Sequence, residues 1–147
     1  MAQFAAALLM MSPRQHSEDA LGNGIGGARS LRWINIAAAL SGLVALAMLV
    51  AAAHPLRDAL DADALERIKL AALVQLGAAC AGLAIANRRS RLNAIAGAMI
   101  LGGAGLFACT LYAISLTGSQ SFAIAAPFGG ITLIVGWVVL AFAKPGA

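Results

Sequence analysis

The sequence predicts an all-α, integral membrane four-helix bundle with short loops and both termini on the cytoplasmic side. Three observations carry this prediction. From Leu92 to Ala143 there is no Asp, Glu, Lys, Arg or His, a run too long for one membrane span of roughly 20 apolar residues. Only 11% of the residues are charged and 61% are hydrophobic, whereas soluble domains carry about 25% charged residues. Seven of the ten basic residues, finally, flank the apolar runs: Arg14, Arg29 and Arg32; Arg88, Arg89 and Arg91; and Lys144. That placement is topology information, so the formal charge of +4 is not read as a nucleic-acid-binding stripe.

Residues 1–32 are expected to form a flexible N-terminal tail. Phe4 to Met11 is apolar but short, without a basic residue before it or a small-residue cleavage pattern after it, so it is not read as a secretory signal. It is expected instead to be a short interfacial helix or a stretch upstream of an alternative start. Gly22, Gly24, Gly26 and Gly27 then give the composition of a linker. The alternative is a segment that orders against a partner.

The first span is predicted over 33–53. It opens on Arg32-Trp33, a cation and an indole suited to the headgroup level. Pro55 closes it by disfavouring helical backbone at His54. The loop from His54 to Lys69 holds Asp58, Asp61, Asp63 and Glu66 beside Arg57, Arg67 and Lys69. Asp63 and Glu66 have capping-box spacing, and these carboxylates are read as caps and solvated groups rather than a metal site.

The second span, 70–87, is the weakest. Its strong apolar residues are Leu70, Leu73, Val74, Leu76, Leu83 and Ile85, each contributing about −0.5 kcal/mol to insertion against the penalties of Gln75 and Asn87. Such a helix depends on protein neighbours. After the basic turn Arg88-Arg89-Ser90-Arg91, the third span is predicted over 92–115 and the fourth over 122–143. The polar cluster Thr117-Gly118-Ser119-Gln120-Ser121 forms the turn between them, and Lys144-Pro145 opens a tail of 144–147. Four spans return the chain to its starting side, and the bias of basic residues places both termini in the cytoplasm.

Leucine gains nothing by leaving a lipid tail for another helix, so association needs small residues that let backbones approach. Four-residue spacing supplies them: Ala37, Ser41 and Ala45; Gly77 and Ala81 beside Ala78 and Gly82; Ala94, Ala98 and Gly102; Ala126 and Gly130. Cys80 and Cys109 are read as further small packing residues.

Chemistry inside a bilayer normally leaves an ionisable residue in a span, and none of the four has one. The polar residues Asn35, Ser41, Gln75, Asn93, Thr110, Tyr112, Ser115 and Thr132 are expected to be satisfied by backbone or interhelical hydrogen bonds. His54 is read as capping a span, and a lone histidine falls short of a bis-histidine haem. No cofactor or metal is expected. Small multidrug transporters also have four short helices, but they carry a glutamate in the first, which this chain lacks.

Leu111-Tyr112, Pro127-Phe128-Gly129-Gly130 and Gly136-Trp137 resemble the family of small membrane proteins known as domain of unknown function 423, with mitochondrial relatives called transmembrane protein 256. Ser41-Gly42 and His54 stand at the spacing of that family's Ser-Gly and Gly-Ala-His elements. Leu49 and Ala52 replace its glycines before the histidine, and Gln75 stands where it has a second histidine. The resemblance covers roughly 35–143. It implies a four-helix protein of a bacterial inner membrane and no assigned activity.

Ser41, Gly42, His54, Gly102, Tyr112, Pro127, Gly129, Gly130 and Trp137 are therefore expected to be structural, helix-packing positions. Pro127 frees a carbonyl one turn back, and the Tyr112 hydroxyl is expected to reach that opening. The alternative is a proline tolerated in a first turn. The functional expectation is a non-catalytic accessory subunit of a larger energy-transducing membrane complex, with the lipid bilayer and other membrane subunits or itself as partners. The second class is a minimal channel or carrier for a neutral or lipophilic solute.

Overall fold

The computed structural model describes residues 13–88 and 90–143, with side chains from residue 32 onward. It contains four long helices: α1 (Pro13–Ala53), α2 (Ala62–Ala86), α3 (Arg91–Thr117) and α4 (Ala125–Phe142), with a 3-10 turn at Gln120–Phe122. Segments long and apolar enough to cross a membrane are Arg32–Ala53, Ala62–Ala86, Arg91–Thr117 and Gln120–Phe142. All four lie in one compact unit, Leu31–Ala147.

The interfacial segment Phe4–Met11, Arg89 and the tail of 144–147 lie outside the described residues. The helix bearing the first span begins at Pro13, well before the expected Trp33. From Pro13 onward the residues expected to form a tail therefore have helical backbone. At its other end α1 stops at Ala53, immediately before His54-Pro55, as the proline requires.

The loop after α1 is shorter than predicted, because α2 begins at Ala62 rather than Leu70. Asp61 is the N-cap, and its carboxylate accepts from the Ala64 amide at 2.6 Å. The cap is thus two residues earlier than the predicted Asp63, which becomes a first-turn carboxylate facing the positive helix end. Glu66, Arg67 and Lys69 consequently lie on the helix, in the turns leading into the apolar segment. Lys69 and Glu66 form an exposed ion pair at 3.0 Å, worth little in water.

The turn between α3 and α4 falls where the polar cluster predicts it. Gly118 caps α3 in the left-handed conformation, φ 68°, with its amide donating to the Ile114 carbonyl at 2.9 Å. Glycine takes this conformation without the Cβ penalty. Ser119 then accepts from the Ser121 amide and starts the 3-10 turn.

Contacts fix an antiparallel order. In α1, Ile34 lies against Gly97 of α3, Ala38 against Gly82 of α2, and Gly42 against Ala79. Farther along, Met48, Leu49 and Ala52 join Ile68, Ala71, Ala72, Ala108 and Tyr112 in one apolar cluster. A second cluster unites Ala78 and Ile85 of α2, Ile100 and Ala104 of α3, and Leu133 and Leu140 of α4. Alanine dominates these interiors: Ala38, Ala45, Ala71, Ala72, Ala96, Ala104 and Ala108 are all fully buried. The larger side chains, among them Leu43, Leu73, Ile95, Leu106 and Ile131, point outward. Small inside and large outside is the distribution for helices whose outer solvent is hydrocarbon.

Candidate functional site

Two seams run through the bundle, and each has its own chemistry. The seam between α3 and α4 is made of backbone. A Cβ placed on Gly103 would stand 2.5 Å from the Leu133 amide nitrogen and 2.8 Å from the Gly129 carbonyl oxygen. One on Gly129 would meet the Phe107 nitrogen at 2.6 Å and the Gly103 oxygen at 2.9 Å. Two turns on, Gly136 faces Ile100, with the amide nitrogen 2.9 Å from its Cβ position. No side chain fits at these three positions without moving one helix off the other.

This corrects the predicted packing face by one residue. Gly102, expected at the contact, is exposed with nothing within 4 Å of its Cβ position. Gly130 has only the edge of Phe107, at 4.0 Å. On α1 the buried alanines are Ala38, Ala45 and Ala52, so the predicted Ala45 is inside, while Ala37 is exposed and Ser41 half-buried. On α2 the predicted neighbours Ala78 and Gly82 are buried, and Gly77 is outside. Ala94 and Ala126 are only half-buried, and Ala98 is exposed. Both cysteines are exposed on the outer surface, so neither packs inside the bundle.

The seam between α2 and α3 carries polar side chains. The Tyr112 hydroxyl donates to Gln75 Oε1 at 2.9 Å, and both residues are buried. Toward the loop end of the same seam, Arg67 Nε donates to Ser115 Oγ at 3.4 Å. Arg67 and Gln75 lie two turns apart on α2, and Tyr112 and Ser115 one turn apart on α3, so both bonds fall on facing sides. Thr110 and Thr132 return their hydroxyls to their own helices, bonding the carbonyls of Leu106 and Phe128 at 2.8 Å. Asn93, near the start of α3, is fully buried.

Tyr112 therefore does not reach the Pro127 opening; its hydroxyl is committed to α2. Pro127 lies in the first turn of α4, where an amide hydrogen would have no partner within the helix, and it is exposed. His54 and Trp137 are exposed as well. Of the nine expected packing positions, Gly129 and Tyr112 are buried, Ser41, Gly42 and Gly130 are half-buried, and the other four are outside. Gly103 and Gly136 are contact residues outside those nine, and Gln75, expected to be satisfied by a backbone or interhelical hydrogen bond, makes the interhelical one with Tyr112. Mirrored depth offers a signal for Gln75: it is the lone glutamine of the second span, opposite the chain's single tyrosine.

Among the described residues no group of three or more His, Cys, Asp or Glu is placed to hold a metal ion. The Tyr112–Gln75 pair is a neutral hydrogen bond in an apolar setting, and it can orient α2 against α3.

Residues 48–130 match the family described as Protein of unknown function (DUF423). The chain belongs to that family. It is also 35% identical over 107 residues to a UPF0382 membrane protein of Haemophilus influenzae, covering 71% of this chain and 86% of that one. No solved structure matches the chain. With this kinship and its four apolar helices, the DUF423 protein is a small multi-pass membrane protein with the lipid bilayer as its surroundings. The matched region includes residues of both seams, among them Gln75, Gly103, Tyr112 and Gly129, while Gly136 lies beyond it.

Proposed function

We infer that this DUF423 protein is a non-catalytic accessory subunit of a larger membrane complex. It resides in a bacterial inner membrane with both termini in the cytoplasm. One observation carries the reading. Tyr112 and Gln75, buried between α2 and α3, bond to each other across the two helices, and residues 33–53, 70–87, 92–115 and 122–143 contain no carboxylate, amine, guanidinium or imidazole. Proton transfer and ion coupling need such groups at depth. The orientation rests on Arg32, Arg88 and Arg91 at one end of the bundle, against a mixed loop at the other.

The outer surface supports the subunit role. Only Gly129 and Gly136 of α4 are buried, which leaves Phe128, Ile131, Ile134, Trp137 and Val138 facing outward on the rest of that helix. Purification in a mild detergent tests the reading. A large membrane protein co-migrating in fixed stoichiometry is the expected result. A homo-oligomer that runs alone and passes a neutral solute into liposomes would replace it with the channel or carrier.

A further inference from the structure

The two ends of the bundle differ in charge balance. At the loop end, the carboxylates of Asp58, Asp61, Asp63 and Glu66 stand among Arg57, Arg67 and Lys69. Arg67 is engaged by Ser115 and Lys69 by Glu66. At the opposite end Arg32, Arg88 and Arg91 are all exposed. Among the described residues, the Lys69–Glu66 pair is the only ion pair. The carboxylates whose side chains are described all belong to the far end.

The fold sets these three arginines at one end of the bundle. Ile34 of α1 and Ile85 of α2 both contact the Cβ position of Gly97 in α3, at 3.6 and 3.4 Å. Three helix ends thus meet at a single contact. Arg32 lies just outward of Ile34, Arg88 one turn outward of Ile85, and Arg91 nearly two turns outward of Gly97. Trp33, 66% exposed, sits beside Arg32 and marks the headgroup level. Guanidinium groups at that depth, with no ion-pair partner among the described residues, face phosphodiesters, which accept their paired N–H donors. Basic clusters between membrane helices hold anionic headgroups in this way.

We propose that Arg32, Arg88 and Arg91, gathered by the Ile34–Ile85–Gly97 contact, form a binding site for the headgroup of an anionic phospholipid. Trp33 is its built-in reporter. The chain has two tryptophans, so Trp137→Phe leaves Trp33 alone. The full chain is reconstituted in phosphatidylcholine vesicles containing increasing amounts of brominated phosphatidylglycerol or brominated phosphatidylcholine. Half-maximal quenching of Trp33 is expected at an about tenfold lower mole fraction of the anionic bromolipid. The R32Q/R88Q/R91Q variant is expected to lose that preference, and R32K/R88K/R91K to keep it. The single glutamine variants reduce the preference stepwise, so the comparison survives if the triple variant does not fold. Equal quenching curves for the unsubstituted arginines would overturn the proposal. A preference undiminished in R32Q/R88Q/R91Q would do so too. Arginine-dependent binding of poly-glutamate without any lipid preference would assign the patch to an acidic protein and also overturn it.

Discussion

The α3–α4 seam and the α2–α3 seam join the same helix to two of its neighbours by different means. Against α4, α3 presents bare backbone, with Gly103 and Gly129 facing each other and Gly136 against Ile100. Against α2 it presents alanines and one buried hydrogen bond, from Tyr112 to Gln75. The difference teaches where tolerance lies. A side chain can turn or shorten when a neighbour grows, whereas a backbone can only move away. The glycine seam is therefore the brittle one, and the polar seam yields by degrees.

The most severe way to break this comparison is Gly129→Val. Its Cβ alone would enter the Phe107 backbone, so α4 must leave α3. A loss of at least about 3 kcal/mol is expected, at or beyond the upper end of ordinary overpacking costs. Reversible unfolding in mixed micelles, followed by far-ultraviolet circular dichroism, measures it.

The polar seam sharpens the comparison next. Tyr112→Phe and Gln75→Leu are each expected to cost about 0.6 to 1.7 kcal/mol, the range of interhelical hydrogen bonds in membranes. The double variant should cost less than the sum of the two, because either substitution removes the same bond. Full additivity in that cycle would show that the pair contributes no bond of its own. Smallest of all is Ser115→Ala, which removes a long 3.4 Å contact from Arg67 near the membrane surface. Less than about 0.5 kcal/mol is expected in the same unfolding assay, the level of an ordinary surface substitution.

The four spans were legible because hydrocarbon imposes length and apolarity on each. The tight turn was legible from Gly118 and its serines, and the end of α1 from Pro55. Rotation of the helices about their axes was not. In a soluble helix the polar face shows which side is out, but here both the interior and the lipid side are apolar. Only residue size distinguishes them, and this chain puts small residues on all sides. Gly102 beside Gly103, and Gly129 beside Gly130, leave two registers that composition does not separate. The start of α2 was missed for another reason. Hydropathy marks where a helix enters the hydrocarbon, at Leu70, whereas the helix itself begins at the Asp61 cap in the aqueous loop.

Tyr112 shows the same limit from the polar side. Its proximity to Pro127 in the sequence suggested a contact across the turn, but the seam to α2 supplies a better partner. In an apolar interior a phenol is driven to the nearest strong acceptor, and the Gln75 side-chain carbonyl lies on the facing helix. Gln75 is thus in use as an acceptor.

The most direct test of the account compares neighbouring glycines in one assay. Gly103→Ala and Gly102→Ala add the same methyl group to adjacent positions of one helix, so differences in composition and helix propensity cancel. Gly103→Ala is expected to lower unfolding stability by about 1 to 3 kcal/mol. Gly102→Ala is expected to leave it unchanged or raise it by up to about 1 kcal/mol. Equal effects, or a greater loss at Gly102, would contradict the claim that backbone contact through Gly103 and Gly129 holds α3 and α4 together.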